Sequence, residues 1–281
     1  MFWEILLTII LVLLGIALAL VLLYVLVLVR PRARKPHLKA LLCDYAHRGL
    51  HGKDAKGNEV PENSLAAFEL ACKAHMGIEL DVQLSNDGQV MVFHDDTLVR
   101  MTGYKNRVCE ITCEQLQQLR LKGSDQTIPT LKEVLELVNC RVPILIELKG
   151  EDFDVELCEK VAEILDEYRG AYCIESFNPL LVYAMRKYMP GIYCGQLYTD
   201  ICREKQKKSV LFLALSWMVF NFLARPDFIA YNKEDRDALP VWITTELYHA
   251  PKFVWTVRSY EEIKTAHELG EYAIFEKENK G

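Results

Sequence analysis

The stretch at 78–95, "IELDVQLSNDGQVMVFHD", decides the fold. Its first part, "IELDVQL" (78–84), is a largely apolar run that reads as a strand. Side chains two apart on a strand point the same way, so Glu79 and Asp81 present two carboxylates on one face. "SNDGQ" follows, with an Asp-Gly turn signal. A link that short allows a hairpin and excludes a parallel crossover, so "VMVFHD" (90–95) is expected to return antiparallel, outside any parallel count.

Working outward, further strand candidates are 41–46, 144–148, 172–177, 193–198, 228–231, 253–257 and 272–276. Helix candidates at 64–75, 130–139, 154–168, 178–189 and 259–269 lie between them, with Asn63 expected to cap the first and Ser259 the last. Several of the strands are apolar nearly throughout, as strands buried on both faces should be. Eight strands separated mostly by helices over roughly 240 residues predict an α/β chain closed into a (β/α)8 TIM barrel. An open doubly wound sheet is the alternative, but the sequence lacks the Gly-rich dinucleotide fingerprint that often accompanies it.

The chain has 281 residues, 51% hydrophobic and 26% charged, which supports a packed core. Its nine cysteines are scattered, and Cys109 and Cys113 form the closest pair with no second pair at metal spacing, so free thiols in a reducing compartment are expected. Residues 5–29 carry no charge over 25 positions. About 20 apolar residues cross a bilayer. The start "MFWE" is not basic and no small-residue cleavage site follows, so an uncleaved anchor is expected rather than a signal peptide. Arg30, Arg32, Arg34 and Lys35 follow the run and put that side in the cytoplasm by the positive-inside rule. The reading is therefore a single-pass cell-membrane protein, with anchor and basic collar at 1–35 and a cytoplasmic domain at 36–281. Residues 1–35 carry +3 of a total of −6, leaving −9 on the remainder. That balance argues against non-specific nucleic-acid binding and leaves membrane attachment to the helix and its collar.

The chemistry clusters at strand ends. "LIELKG" sets Glu147 and Lys149 two apart, repeating the geometry of Glu79 and Asp81 on a second strand. Inward carboxylates repel one another, and a divalent cation relieves this; all-oxygen ligands favour Mg2+ or Ca2+, with Mn2+ also compatible. His47 in "DYAHRGL" (44–50) and His94 at the end of the hairpin supply an acid/base pair. Arg48 and Lys149 can hold an anion. Together these residues describe a phosphoester site at the C-terminal end of barrel strands, where such sites are built.

"AHRG" (46–49), "PENS" (61–64), "ELD" (79–81), "NDGQVMVFHD" (86–95), "IPTL" (128–131), "IELK" (146–149), "SF" (176–177) and "WTV" (255–257) occur in the order seen in glycerophosphodiester phosphodiesterases, and residues 41–276 resemble that family, in particular its membrane-anchored bacterial members. The resemblance implies a barrel of the phospholipase-C-like phosphodiesterase type. It implies metal-dependent hydrolysis of glycerophosphodiesters to sn-glycerol 3-phosphate and an alcohol. His47 and His94 match its acid/base pair, and Glu79, Asp81 and Glu147 its metal carboxylates. Glu62 matches a position at the metal or just behind it, Arg48 and Lys149 the phosphate contacts, and Phe177 and Trp255 a wall against the glycerol. Two departures stand out: "PENS" for the commoner "PENT", and "YAIFEKENKG" (272–281) where a "TD" is usual near the last strand. The second bears on barrel closure and one pocket wall.

A second apolar run, 209–224, holds Ser216 and Asn221 and is too short for a confident span. It reads as a helix packed in the outer ring of the barrel, or as an interfacial helix resting on the bilayer near the mouth. The rival functions are a lysophospholipase D acting on membrane lysophospholipids and a non-catalytic, membrane-tethered binder of phosphodiester head groups.

Overall fold

The computed structural model describes residues 1–34, 36, 39–54, 57–150, 155–207 and 209–276. Eight parallel strands form the central sheet: β1 (Tyr45–Ala46), β2 (Gly77–Leu84), β3 (Ile144–Leu148), β4 (Tyr172–Ser176), β5 (Cys194–Tyr198), β6 (Phe228–Asn232), β7 (Lys252–Val257) and β8 (Glu271–Phe275). β1 pairs with both β2 (Tyr45↔Gly77) and β8 (Tyr45↔Ile274), so the sheet closes and the open-sheet alternative is excluded. The changed sequence after β8 does not prevent closure.

Val90–Val92 pairs antiparallel with β2, Val82 opposite Val92, as the short Asp-Gly link requires. The chain beyond it folds over a satellite core of Met91, Phe93, Leu98, Val108, Leu116 and Ile128 before the next helix. The long outer helices are α2 (Leu65–Lys73), α3 (Leu131–Val138), α4 (Val155–Asp166), α5 (Pro179–Tyr188) and α6 (Tyr260–Glu268). Ser64, not Asn63, caps α2 by accepting the Ala67 N–H, and Ser259 caps α6.

Strand alternation sorts the side chains. Ile78, Leu80, Val82, Ile144, Ile146 and Ile174 pack outward against the helices. Leu145, Cys173, Leu197, Phe228 and Phe253 pack together in a separate core with Tyr45 and Tyr193. This core fills the interior, with Phe228 stacked 5.1 Å from Tyr193 and tilted against Phe253 at 4.8 Å. Leu41 sits beneath it in a single 3-10 turn, which is why the expected strand at 41–46 is reduced to two residues.

The N-terminal helix α1 (Phe2–Leu23) buries no residue, and the helical run Phe2–Leu28 is long and apolar enough to cross a membrane, a property that a signal sequence shares. The chain after it descends the barrel wall. Tyr24 donates to the Trp217 carbonyl, Asn221 donates to the carbonyl of fully buried Val29, and the Arg32 N–H reaches the Pro226 carbonyl. Arg32 and Arg34 approach buried Asp227 at 3.9 and 3.5 Å, beside Arg186. Two of the four expected collar residues are thus committed to the base of the barrel, and Lys35 lies outside the described residues.

The apolar run 209–224 is not one helix. It forms Val210–Ser216 and Asn221–Ala224, broken where Met218 takes a left-handed backbone at φ 49°. The first piece buries only Ser216, so it is not a packed helix of the outer ring.

Candidate active site

The inward face of β3 and β4 begins apolar and ends acidic, while β2 already carries Glu79 level with Leu145. Register places Leu145 beside Cys173, and one step further Asp81 beside Glu147 and Glu147 beside Glu175. Each strand therefore delivers a carboxylate at the same height, the C-terminal rim. Oxygen atoms of Glu79, Asp81 and Glu147, all buried, lie within 4.8 Å of one another.

These carboxylates differ sharply in charge preference. Burial, reinforced by Asp81, Glu147 and Glu175, pushes Glu79 well above the ordinary range. Burial also pushes Glu147 up, to about 7, although Lys149 opposes it. Burial would raise Asp81 too, but Lys149 and Arg48 outweigh it and hold that carboxyl low. The Lys149 ammonium sits 3.1 Å from Asp81 and 2.7 Å from Glu147, and Asn63 donates to Asp81 at 2.8 Å. Glu175 is pushed well above its usual range by burial and by Glu147, and its Oε2 has no hydrogen-bond partner among the described residues. The trio fits a hard divalent cation: its donors are all oxygens, and crowded, partly protonated carboxyls release their protons when a metal takes their place.

The "HRG" turn brings its own groups to this cluster. Arg48 has φ 55° and Gly49 φ 78°; a Cβ on Gly49 would stand 2.9 Å from Ala67 and Phe68, so only glycine fits. The Arg48 N–H donates to Glu79 at 2.8 Å, and its guanidinium reaches Glu62 at 2.8 Å and Asp81 at 3.4 Å. Both Glu62 oxygens are engaged by arginines, Arg48 and Arg100, and Glu62 stands outside the metal trio. Burial alone would raise its carboxyl, but these arginines bring it to about 2.

Each histidine is tethered by a carboxylate. His94 Nδ1 lies 2.7 Å from Asp95, which Arg100 also holds. His47 Nδ1 lies 3.3 Å from Glu276, immediately after β8. An ionised carboxylate only accepts, so each Nδ1 carries hydrogen and each Nε2 is left for other work. Burial lowers both imidazoles from the usual value, while Glu276 and Asp95 act in the opposite direction.

Phe177 and Trp255 meet edge-to-face, centroids 5.6 Å apart, both half-buried, and the Trp255 N–H donates to the Ala230 carbonyl. The structure thus brings His47, Arg48, Glu62, Glu79, Asp81, His94, Glu147 and Lys149 into one network of contacts and electrostatic coupling, with Phe177, just past β4, and Trp255 of β7 as a separate aromatic pair. Sequence reasoning missed Glu276, Glu175, Asn63 and Arg100. Glu175 had a signal, being a fourth acid on a third apolar strand, "YCIES". Glu276 had none, because its partner is 229 residues away.

A barrel with a buried carboxylate trio, two carboxylate-tethered histidines and facing cations at its C-terminal rim defines a phosphodiesterase-type site. The model of the glycerophosphoryl diester phosphodiesterase family matches residues 47–276, and the chain belongs to that family of phosphoric diester hydrolases. A glycerophosphodiester phosphodiesterase of Caldanaerobacter subterraneus subsp. tengcongensis is 33% identical over 73% of this chain and 86% of its own length. Bacillus subtilis YhdW is 36% identical over 52% of this chain and 62% of its own length. An Oleispira antarctica phosphodiesterase, solved with its product sn-glycerol 3-phosphate, superposes with a TM-score of 0.70 at 25% identity, covering 84% of this chain and 94% of that one.

Proposed function

We propose that the chain is a membrane-anchored, metal-dependent enzyme that hydrolyses glycerophosphodiesters to sn-glycerol 3-phosphate and an alcohol. The observation that carries this is the convergence of Glu79, Asp81 and Glu147 with two histidines, each held by a carboxylate at Nδ1. Glu79, Asp81 and Glu147 would hold the divalent cation, Mg2+, Ca2+ or Mn2+, which when bound supplies charge stabilisation to the phosphodiester oxygens. Arg48 and Lys149 bind the same phosphate, Arg48 through its fork and Lys149 as a point charge. Glu62 positions Arg48. One histidine takes a proton at Nε2 from the attacking oxygen and the other returns one to the leaving alkoxide; the attacker is water, or the glycerol 2-hydroxyl, which gives a cyclic phosphate that water then opens with the two histidines in exchanged roles. Phe177 and Trp255 form an apolar wall for the glycerol carbons.

Residues 1–35 form the anchor and 36–281 the catalytic domain, with the stretch at 24–34 lying along the barrel wall. The uncleaved reading of α1 is supported by that docking, since Val29 is fully buried in the wall. Cytoplasmic placement is supported by the basic residues after α1 and by nine free cysteines.

The test is turnover by the full chain in detergent with glycerophosphocholine, glycerophosphoethanolamine, glycerophosphoglycerol and lysophosphatidylcholine. Release of glycerol 3-phosphate from the soluble diesters is the expected result. Release of lysophosphatidic acid alone would make the chain a lysophospholipase D, the reading that the exposed apolar turn after β5 favours. A folded chain with no turnover would be a head-group binder.

A further inference from the structure

The descent of the chain from α1 has a direction. Trp217, which meets Tyr24 edge-to-face at 5.7 Å, is at the catalytic end of the barrel. Its neighbour Ser216 is fixed there twice: its carbonyl accepts from Tyr198, the last residue of β5, and its hydroxyl bonds Asp200, just past that strand. Arg32 and Arg34 bond the carbonyls of Pro226, Gly191 and Ile192, which precede β6 and β5 at the opposite end. The stretch from 24 to 34 therefore runs from the catalytic end to the base, and α1, which precedes it, leaves the barrel on the catalytic side.

Exposed apolar groups gather on both sides of that exit. In the turn after β5, Val210 is 87% exposed, Leu211 and Leu213 each 55%, and Trp217 41%. Across the descending chain, the helix Leu239–Trp242 follows β6 and leaves Leu239 51% and Trp242 53% exposed, while nearby Tyr248 donates to the Val25 carbonyl. Apolar side chains concentrated this way are unusual on a surface that faces only water. Tryptophans beside a spanning helix match the amphipathic chemistry of the lipid interface. Phe177 of the proposed glycerol wall and Leu215 of the exposed turn line one crevice, so the patch is continuous with the site.

We propose that the barrel stands with its catalytic end against the bilayer. The turn at 210–217 and the helix at 239–242 enter the lipid interface on either side of α1, and the mouth of the site opens at the membrane surface. The inference rests on reading α1 as a membrane anchor. Its partner is the apolar interface of a phospholipid bilayer rather than an anionic surface, since the domain is acidic.

The test is quenching of tryptophan emission in the full chain reconstituted into phosphatidylcholine vesicles whose acyl chains are brominated near the glycerol end. The chain has four tryptophans, at 3, 217, 242 and 255, each replaced singly by Phe. The quenchable fraction should fall in Trp3→Phe, Trp217→Phe and Trp242→Phe, and stay or rise in Trp255→Phe. No fall in Trp3→Phe would remove the anchor reading itself. A fall in Trp3→Phe with none in Trp217→Phe or Trp242→Phe would leave the anchor intact and overturn the orientation. Leu211→Glu with Leu213→Glu, both at exposed positions, should roughly halve the quenching assigned to Trp217 and leave Trp3 unchanged; an unaltered Trp217 signal would overturn the role of the turn.

Discussion

On the β2–β4 side of the mouth, Glu79, Asp81, Glu147 and Glu175 crowd the strand ends. On the β5–β7 side the corresponding region carries Gln196, Trp255 against Phe177, and the exposed apolar turn after β5. The acidic half opposes folding: burial and mutual repulsion push three of its four carboxyls toward the neutral form, so packing alone would not select it. The apolar half is disfavoured in water for the opposite reason, leaving Leu211 and Leu213 about half exposed. On the proposed reading each half has a counterpart outside the chain, a cation for one and a lipid surface for the other.

The largest expected effect separates chemistry from packing on the acidic side. His47→Ala or His94→Ala should lower kcat on glycerophosphocholine by about 100-fold or more with circular dichroism unchanged. A loss of only a few-fold would break the acid/base assignment. Glu276→Gln comes next, at about 10-fold, as expected when an outer partner of an active histidine is removed. Glu276 raises the His47 pKa, so the variant should also move to lower pH whichever limb of kcat/KM His47 controls.

Stability against pH sharpens the contrast further. The folded Glu147 titrates near 7 and the ordinary value is 4.5, so between these the metal-free native state holds a proton that the unfolded chain has released. The contribution favouring the fold is fully present below about 4.5 and is lost as pH rises through 7, and Glu79 and Glu175 extend the same trend upward. With EDTA, Tm should therefore decline over this window. With Mg2+ the gain in Tm should grow with pH and be accompanied by proton release, measured by titration in buffers of different ionisation enthalpy. The smallest effect belongs to the apolar half. Leu211→Glu should leave turnover of soluble glycerophosphocholine within about two-fold, as expected of a surface position away from the chemistry.

All eight barrel strands were legible because each is a short apolar run bounded by turns or helices, and the hairpin because five residues cannot make a crossover. The carboxylate trio was legible because charged residues two apart in or beside such runs, Glu79 with Asp81 and Glu147 with Lys149, share one face. What escaped depends on closure or on chain outside the strands. Glu276 reaches His47 only because β8 pairs with β1, and Arg100 reaches Glu62 from an excursion with its own small core. Asn63, beside a helix start, reads as a cap, yet the Asp81 carboxylate claims its amide and Ser64 does the capping. The 209–224 run reads as one helix because nothing in it marks the left-handed turn at Met218.

The most direct test is release of glycerol 3-phosphate from glycerophosphocholine by the full chain and by Asp81→Asn, after EDTA treatment and re-addition of Mg2+, Ca2+ or Mn2+. The account predicts that the native chain stops with EDTA and resumes with at least one of these cations, while Asp81→Asn stays folded and resumes with none. Full turnover in EDTA, or full recovery by Asp81→Asn, would contradict it.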